Sequence, residues 1–334
     1  MNRETVYFKN KPQIIATSTI GGPKESAGPI GDFIENNLKN DKYNEKTFEK
    51  AECKMLSTVI DKVIGNSGYD SCDVNAIIAG DLLNQIISSS YAARDYKIPY
   101  IGVYSACSTM SESIAIASMM VDAGYMNKIV CATGSHFSSA ERQYRYPLEL
   151  GSTRPPQSQW TVTGAGACFI SRYVDKNYPY ISSATFGKVI DYGVIDANNM
   201  GGAMAPACAD TIITHFKNTK TNPNDYDVIL TGDLGVLGSR LLKDLTIQKG
   251  FDLSKNHIDC GEMIFNIVED EYQGGSGAGC SAIVFNGYFY KKLLENKYKR
   301  ILFVATGALL SSITSQQGES IPCVSHAVEI IKEK

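Results

Sequence analysis

The feature of this 334-residue chain that most constrains its fold is an internal repeat. Two apolar segments, over residues 76–82 and 228–234, both end in Gly-Asp-Leu. Each is followed later by an Ala-Thr-Gly segment that leads into two serines, beginning at Ala132 in the first half and at Ala305 in the second. Two matches in the same order indicate a duplicated α/β unit.

The spacing of two cysteines supports the repeat. Cys107 and Cys280 each stand 26 positions before the threonine of the Ala-Thr-Gly segment. The interval from the Gly-Asp-Leu aspartate to that threonine is 52 positions in the first half and 73 in the second, so we predict an insertion near 246–269. The expected organisation is two halves, residues 1–175 and 176–334, packed as one compact unit.

Hydrophobic periodicity predicts alternating strands and helices along both halves. In the first half, helices are predicted over 47–65, 82–93 and 107–123, and strands over 74–79, 100–104, 128–132 and 161–171. In the second half, strands are predicted near 180–193, 226–231, 300–305 and 324–331, and helices near 203–217, 235–243 and 278–295. Such alternation is typical of largely parallel sheets with right-handed crossovers.

The helix predicted over 107–123 carries only two charged residues, Glu112 and Asp122. Apolar or small residues cover most of its circumference, which indicates burial on nearly all sides. A duplicated unit with fully buried helices between two sheets predicts a layered sandwich.

Composition excludes several classes of function. The net charge of −3, with lysines spread along the chain, gives no basis for nucleic-acid binding. No uncharged apolar run approaches the roughly 18 to 20 residues of a spanning helix, and the N-terminus lacks the apolar core of a signal peptide. We therefore expect no transmembrane segment.

Nine cysteines are spread along the chain, and no two of them stand within four residues of each other. The spacing lacks the paired pattern of a zinc site, and an odd count suits reduced thiols. We predict no metal site, and most of these cysteines are expected to be small core residues.

Cys107 differs from the others in its position. It follows a predicted strand and begins a predicted helix, where the N-terminus of a helix favours the thiolate form of a cysteine. It is therefore a candidate nucleophile, or else it marks a pocket.

Longer motifs surround this cysteine. The chain reads Ser-Ala-Cys-Ser-Thr-Met-Ser-Glu-Ser over 105–113, Gly-Ser-His-Phe-Ser-Ser-Ala-Glu-Arg-Gln over 134–143, and Arg-Pro-Pro-Gln-Ser-Gln-Trp-Thr-Val-Thr-Gly-Ala-Gly over 154–166. A cysteine at the tip of a buried helix in a duplicated half resembles the thiolase and ketoacyl-synthase superfamily, and these motifs are similar to those of the stage V sporulation protein AD family. The resemblance covers nearly the whole chain. It implies a thiolase-like α/β fold, a five-layer αβαβα sandwich whose duplicated halves are related by pseudo-twofold symmetry.

The resemblance also implies a function. Members of the family are expected to bind dipicolinic acid without transforming it and to support its uptake into the developing spore. Membrane proteins of the SpoVA assembly are the implied partners, and the implied location is peripheral at the spore inner membrane. No cofactor is implied beyond calcium that accompanies dipicolinate, and superfamily analogy implies a homodimer.

Catalytic partners for Cys107 are missing from the expected positions. Condensing enzymes of the superfamily pair the cysteine with a histidine and with a second histidine or asparagine in the second half. Here the matching segments are Thr-Gly-Asp-Leu over 231–234 and Gln-Gly-Gly-Ser-Gly-Ala-Gly over 273–279, and the final loop over 306–310 lacks the cysteine of a degradative thiolase. Without a base and oxyanion donors a thiol is a poor acyl-transfer catalyst, so we predict a vestigial nucleophile and no enzyme activity.

The predicted ligand site rests on the chemistry of a planar dianion. Helix N-terminal N–H groups and arginine forks suit carboxylates, and Asp233 is expected to face Cys107 and hold a cation or a protonated ring nitrogen. The predicted ligand-binding residues are Cys107, Ser108, His136, Arg142, Arg145 and Asp233.

Alternatives stay open at this level. Cys107 could serve an acyl-thioester condensing enzyme or hydrolase, or the protein could be a ligand-free scaffold. His136 could instead bond a neighbouring loop, Asp233 could be a strand-end cap, and Trp160 could be a core anchor. Arg142 and Arg145 could pair with glutamates 141 and 149 on the surface.

Overall fold

The computed structural model describes residues 4–144, 154–266 and 272–333. The strands in these ranges are β1 Thr5–Tyr7, β2 Gln13–Gly21, β3 Asn36–Asn37, β4 Ala76–Gly80, β5 Tyr100–Gly102, β6 Lys128–Ser135, β7 Trp160–Thr161, β8 Gly164–Ser171, β9 Tyr180–Phe186, β10 Val228–Thr231, β11 His257–Asp259, β12 Gly275–Ser276, β13 Arg300–Ala308 and β14 Cys323–Ile331.

The α-helices are α1 Pro23–Ser26, α2 Phe48–Ser67, α3 Ile87–Ala93, α4 Thr109–Asp122, α5 Phe137–Tyr144, α6 Met200–Thr219, α7 Gly235–Ile247, α8 Cys260–Ile264, α9 Ala278–Ile283, α10 Tyr290–Leu294 and α11 Ser312–Gln316. A 3-10 turn over Ala106–Ser108 leads into α4, and a π-helical stretch over Val284–Phe289 joins α9 to α10.

The sheet repeats its own order. The first half contributes β5-β4-β6-β8-β2, and the second contributes β11-β10-β13-β14-β9. In both sets the first three strands run parallel and the last two pair antiparallel to their neighbours. The two sets meet where Gln13 of β2 pairs with Tyr180 of β9. The predicted duplication therefore appears strand for strand in the topology, and the predicted boundary after residue 175 falls in the segment between β8 and β9.

Helices form the other three layers. Helix α2 packs on β2, β8 and β6 on one outer face, and α6 packs on β13 and β14 on the other. Helices α4 and α9 fill the middle, where α4 touches strands of both sets and α9 touches β6 and β8. The predicted five-layer thiolase-like sandwich is confirmed. Helix α4 is buried because its inward residues are apolar or small, as its sequence predicts.

Local chemistry sets several element ends. Helix α2 begins at Phe48 because Thr47 Oγ1 accepts the Lys50 N–H at 3.3 Å, and it ends at Gly68, whose φ of +76° terminates the helix. The helix predicted over 82–93 is shorter, because Gln85 and Ile86 adopt φ of +62° and +48°. Those left-handed residues break the helical path, so α3 starts only at Ile87.

The extra residues of the second half lie mostly after β11, so they begin within the predicted range 246–269 and extend beyond it. Strand β5 begins seven residues before Cys107, whereas β11 begins 23 residues before Cys280. Helix α8 and strand β12 occupy that longer connection. Strand β12 pairs with β7, so the insertion ties the second half to the first.

Candidate functional site

The Cys107 turn, residues 105–108, lies where the two halves meet. Ala106 has a φ of +50°, which turns the chain from β5 toward α4. The end of β13 passes so close that a β-carbon on Gly307 would lie 1.8 Å from the Ser105 carbonyl oxygen. Only glycine allows this approach, so the second half is in direct contact with the turn that carries the cysteine.

Cys107 faces a cavity, and Asp233 lies behind it. The cysteine is 8% exposed and Asp233 is fully buried. Asp233 Oδ2 accepts the Gly277 N–H at 2.8 Å and the Ser276 hydroxyl at 3.3 Å. The Asp233 carboxyl also hydrogen-bonds the Cys107 thiol, so the structure brings these two predicted residues together.

Burial sets the protonation of this pair. It raises the pKa of the Cys107 thiol well above its ordinary 9, and the neighbouring Asp233 carboxyl raises that pKa further. Burial also raises the pKa of Asp233 to about 7, and Asp259 adds to the effect. The thiol is therefore protonated at neutral pH, opposite to the thiolate that a helix N-terminus alone favours.

The cavity above Cys107 is open to solvent, and about 520 Å³ of space, part of it solvent outside the walls, lies among its lining atoms. Side chains from both halves line it, and most of them are apolar or aromatic. They are Leu82, Tyr104, Ala106, Cys107, Ala140, Glu141, Tyr144, Thr161, Met200, Met204, Ser276, Gly277, Ala308 and Leu310. We call this space the Cys107 cavity.

Two tyrosines stand at the rim of the cavity. The hydroxyls of Tyr104 and Tyr144 are 3.4 Å apart, and Tyr144 also donates to the Leu82 carbonyl oxygen. Tyr104 is 42% exposed, so it reaches the solvent side of the opening. Burial raises the pKa of both hydroxyls, which keeps them neutral donors.

One acidic side chain, Glu141, lines the wall. It accepts from the Thr161 hydroxyl at 3.1 Å and forms an ion pair with Arg154 at 3.5 Å. The Arg154 guanidinium lies 5.3 Å from the centre of the Trp160 ring, which stacks on Phe137 at 4.0 Å. Trp160 is thus part of a cation-binding aromatic stack beside the cavity.

The other predicted site residues lie elsewhere. His136 is fully buried, with Nε2 2.9 Å from the Asp41 carbonyl oxygen and Nδ1 accepting the Ser138 N–H. Ser108 is fully buried too, and its hydroxyl donates to the Ser105 carbonyl oxygen at 2.7 Å. Neither is among the described residues that line the Cys107 cavity.

Of the two arginines predicted to bind the ligand, Arg142 lies away from the cavity. Arg142 is half-exposed and pairs with Glu49 rather than with Glu141, whose partner is Arg154. Arg142 is not among the described cavity-lining residues. Arg145 lies outside the described residues, so its role stays a prediction.

The second-half histidines serve other parts of the core. His215 bonds Thr185 Oγ1 at 2.8 Å, and His257 bonds Thr231 Oγ1 at 2.8 Å. His326 packs on Phe186. None of the three belongs to the described lining of the Cys107 cavity. Within the described ranges, no cluster of three or more His, Cys, Asp or Glu side chains could hold a metal ion.

Sequence reasoning missed most of the cavity wall, including Tyr104, Met200, Met204 and Leu310. Met200 and Met204 are four residues apart on α6, a spacing that puts them on one helix face. That spacing equally suits an ordinary core helix, so it carries no signal for a ligand.

Comparison with known proteins identifies the family. The family model for stage V sporulation protein AD matches residues 2–331. The chain belongs to the stage V sporulation protein AD family. It is 41% identical over 326 residues to stage V sporulation protein AD of Bacillus subtilis (strain 168). The aligned region covers 98% of this chain and 96% of that protein.

Solved structures share the fold of this stage V sporulation protein AD family member. OleA of Xanthomonas campestris, as a variant with cerulenin, superposes with a TM-score of 0.60 and 12% identity over 98% of each chain. The 3-oxoacyl-[acyl-carrier-protein] synthase III of Aquifex aeolicus VF5 gives 0.55 and 14%, covering 96% of this chain and 99% of that one. Identities this low show a common fold alone. In the parts of the chain that are described, no helix combines the length and apolar character needed to cross a bilayer.

Proposed function

We propose that this protein binds dipicolinate in the Cys107 cavity without transforming it, and that it serves dipicolinate uptake during sporulation. The observation that supports this proposal most directly lies at the floor of the cavity. There the buried, protonated thiol of Cys107 is next to the carboxyl group of Asp233 rather than to an imidazole. Family membership supports the role in sporulation, and uptake through membrane proteins of the SpoVA assembly, at the spore inner membrane, is part of the proposal.

The floor argues against acyl transfer. A nucleophilic cysteine needs a nearby positive charge or a base to favour its thiolate. Asp233 does the reverse, since its negative charge raises the pKa of the Cys107 thiol. A thioester attack at neutral pH would first require proton removal that no described cavity residue is poised to perform.

The wall suits a flat ring. Met200 and Met204 offer polarisable surfaces, and Tyr104 offers a neutral hydroxyl donor at the rim. The thiol of Cys107 presents a further donor at the floor. A planar aromatic acid that fills the cavity would therefore meet apolar faces and polar edges.

The charge of dipicolinate needs compensation. The described lining contains Glu141 but no lysine or arginine, so a bare dianion meets little positive charge there. We propose that calcium enters coordinated by dipicolinate itself, or that a proton accompanies the anion. The absence of a metal-binding cluster among the described residues is consistent with an ion that travels with its ligand.

Titration of the purified protein tests this proposal. Calorimetry with dipicolinate, with and without calcium, should show saturable binding, and isophthalate should bind more weakly because it lacks the ring nitrogen. Cys107→Ala should weaken binding by removing a floor donor. Absence of saturable binding under both conditions would overturn the proposal.

Acyl-thioester chemistry remains the second candidate, favoured by the fold shared with condensing enzymes and by the cysteine at the start of α4. Mass spectrometry after exposure to acyl-CoA decides it. An adduct on Cys107 would support an acyltransferase, whereas an unmodified protein that binds dipicolinate supports the binding function.

A further inference from the structure

Asp233 has a spare hydrogen-bonding position. Its Oδ2 accepts from the Gly277 N–H and the Ser276 hydroxyl, and the carboxyl group also hydrogen-bonds the Cys107 thiol. Its Oδ1 has no N–H or O–H partner among the described residues, although the side chain is fully buried. An ionised carboxylate with an unpaired buried oxygen is costly, whereas a protonated one can donate from that oxygen.

Its counterparts lack this feature. Asp81, the matching residue of the first half, accepts the Leu83 N–H on one oxygen and both groups of Ser89 on the other. Asp259 likewise uses both of its oxygens, on backbone N–H groups of α7 and on the Thr231 hydroxyl. Asp233 is thus set apart from carboxylates that cap strand ends.

The groups around Asp233 provide no cation. Those that act on it are the Cys107 thiol, the Gly277 N–H, the Ser276 hydroxyl and the Asp259 carboxyl. The buried thiols of Cys260, Cys280 and Cys323 also sense its charge. Gln159 Nε2 donates only to the Asp233 backbone oxygen, at 2.8 Å. Each of these described neighbours is either neutral or negative.

We infer that Asp233 and Cys107 act as a proton-donating pair that takes up one proton when an anionic ligand group binds on the cavity floor. This inference rests on the proposed function. In the free protein the Cys107 thiol donates to the Asp233 carboxylate. In the proposed complex the protonated Asp233 donates to the Cys107 sulphur instead, and the thiol hydrogen is donated to the ligand carboxylate. The proton comes from solvent, and no bond of the ligand forms or breaks.

The Asp233–Cys107 pair would distinguish anionic ligands from neutral ones. A ligand carboxylate accepts the thiol hydrogen, and an ionised Asp233 would repel the negative charge of that carboxylate. Above neutral pH, each bound anion must therefore draw a proton onto Asp233. Affinity for an anionic ligand should fall by about tenfold per pH unit once Asp233 is ionised in the free protein. A neutral analogue should show no such decline.

The test is calorimetric titration of the whole protein with dipicolinate from pH 6 to pH 9, with calcium and with a chelator. At pH 8, titrations in two buffers of different ionisation enthalpy should reveal uptake of about one proton per ligand. Pyridine-2,6-dicarboxamide serves as the neutral probe. These measurements on the unmodified protein do not depend on the folding of any variant.

Variants locate the proton. Asp233→Asn keeps a donor amide without titrating, so dipicolinate affinity should become independent of pH between 7 and 9. Asp73→Asn is the matched control, because Asp73 is exposed and is not among the described residues that line the cavity, so its replacement should leave the pH profile in place.

Three outcomes distinguish failure of the inference from failure of the proposed function. Dipicolinate binding with a flat pH profile and no proton uptake would overturn the inference and leave the proposed function standing. Persistence of the pH dependence in Asp233→Asn would also overturn the inference. No binding at any pH would overturn the proposed function itself.

Discussion

Gly307 of β13 lies directly against the Ser105 carbonyl oxygen, and a β-carbon at Gly307 would come within 1.8 Å of that oxygen. This contact joins the end of a second-half strand to the turn that presents Cys107. The cavity therefore depends on both halves being in register, and its floor moves if either half shifts.

Replacing Gly307 with alanine should displace the Cys107 turn. The clash is with backbone, which cannot rotate away, so we expect Gly307→Ala to lower the free energy of unfolding by about 1–3 kcal/mol and to weaken dipicolinate binding. Gly65→Ala is the control, since a β-carbon there meets nothing within 4 Å and alanine favours the interior of α2. Denaturant unfolding would measure the free energy of unfolding of both variants. An unchanged free energy of unfolding in Gly307→Ala would contradict the contact between Gly307 and Ser105.

Filling the cavity should abolish ligand binding without unfolding the protein. Leu310 lines the cavity and is 8% exposed, whereas Ile313 is 65% exposed on the neighbouring helix α11. We expect Leu310→Trp to reduce dipicolinate affinity at least tenfold and Ile313→Trp to leave it unchanged, because only the first indole occupies ligand space. Equal affinities in the two variants, measured by calorimetry, would show that the ligand binds elsewhere.

The Cys107 thiol should react slowly with alkylating reagents. Burial and the Asp233 carboxyl both raise its pKa, so thiolate is scarce at pH 8. Cys72 is exposed and provides an internal reference in the same chain. Peptide mass spectrometry after timed iodoacetamide treatment should show Cys72 labelled far ahead of Cys107. Asp233→Asn should reduce the difference between the labelling rates of Cys72 and Cys107, because it removes the negative charge beside Cys107. Comparable initial labelling rates of the two cysteines in the unmodified protein would contradict a protonated Cys107 thiol.

Asp233 should make stability depend on pH. Its pKa rises on folding from about 3.9 in the unfolded chain to about 7. The folded state holds this proton more tightly, so the associated stability is complete below about pH 4 and is lost as pH rises through 7. Asp233→Asn should therefore be more stable than the unmodified protein at pH 8, by about 1–3 kcal/mol, and the difference should shrink at pH 5.

The control for that comparison is Asp73→Asn. Asp73 is exposed to solvent, and its pKa is lowered by the backbone N–H of Asp70 and by Lys128. Its replacement should not raise stability at pH 8. Urea unfolding at both pH values would measure the two variants, and a stability gain for Asp233→Asn that is the same at pH 5 and pH 8 would exclude a titrating carboxyl.

Several elements followed from the sequence because their signals are local. The Gly-Asp-Leu repeat, the helical period over 47–65 and the apolar circumference of α4 each depend on residues close together in the chain. The break before α3 did not follow, since Gln85 and Ile86 take left-handed conformations that their residue types do not favour. The insertion was located only in part, because length differences alone do not say on which side of a strand the residues fall.

In the candidate site too, neighbours in the sequence do not predict neighbours in space. Residues Glu141 and Arg142 are adjacent in sequence, yet successive residues of a helix point in different directions. Glu141 turns into the cavity wall and Arg142 turns toward Glu49 on the surface. The position of Arg142 in the sequence was therefore a poor guide to its position relative to the cavity.

By itself the sequence determined the duplicated α/β plan and the position of Cys107 at the start of a buried helix, because repeat order and hydrophobic period are properties of the chain. The tertiary structure alone decided the chemical state of that cysteine. Packing of the second half buries the Cys107 thiol and brings the Asp233 carboxyl behind it, and desolvation then outweighs the helix N-terminus. Burial and the proximity of distant residues exist only once the halves have met.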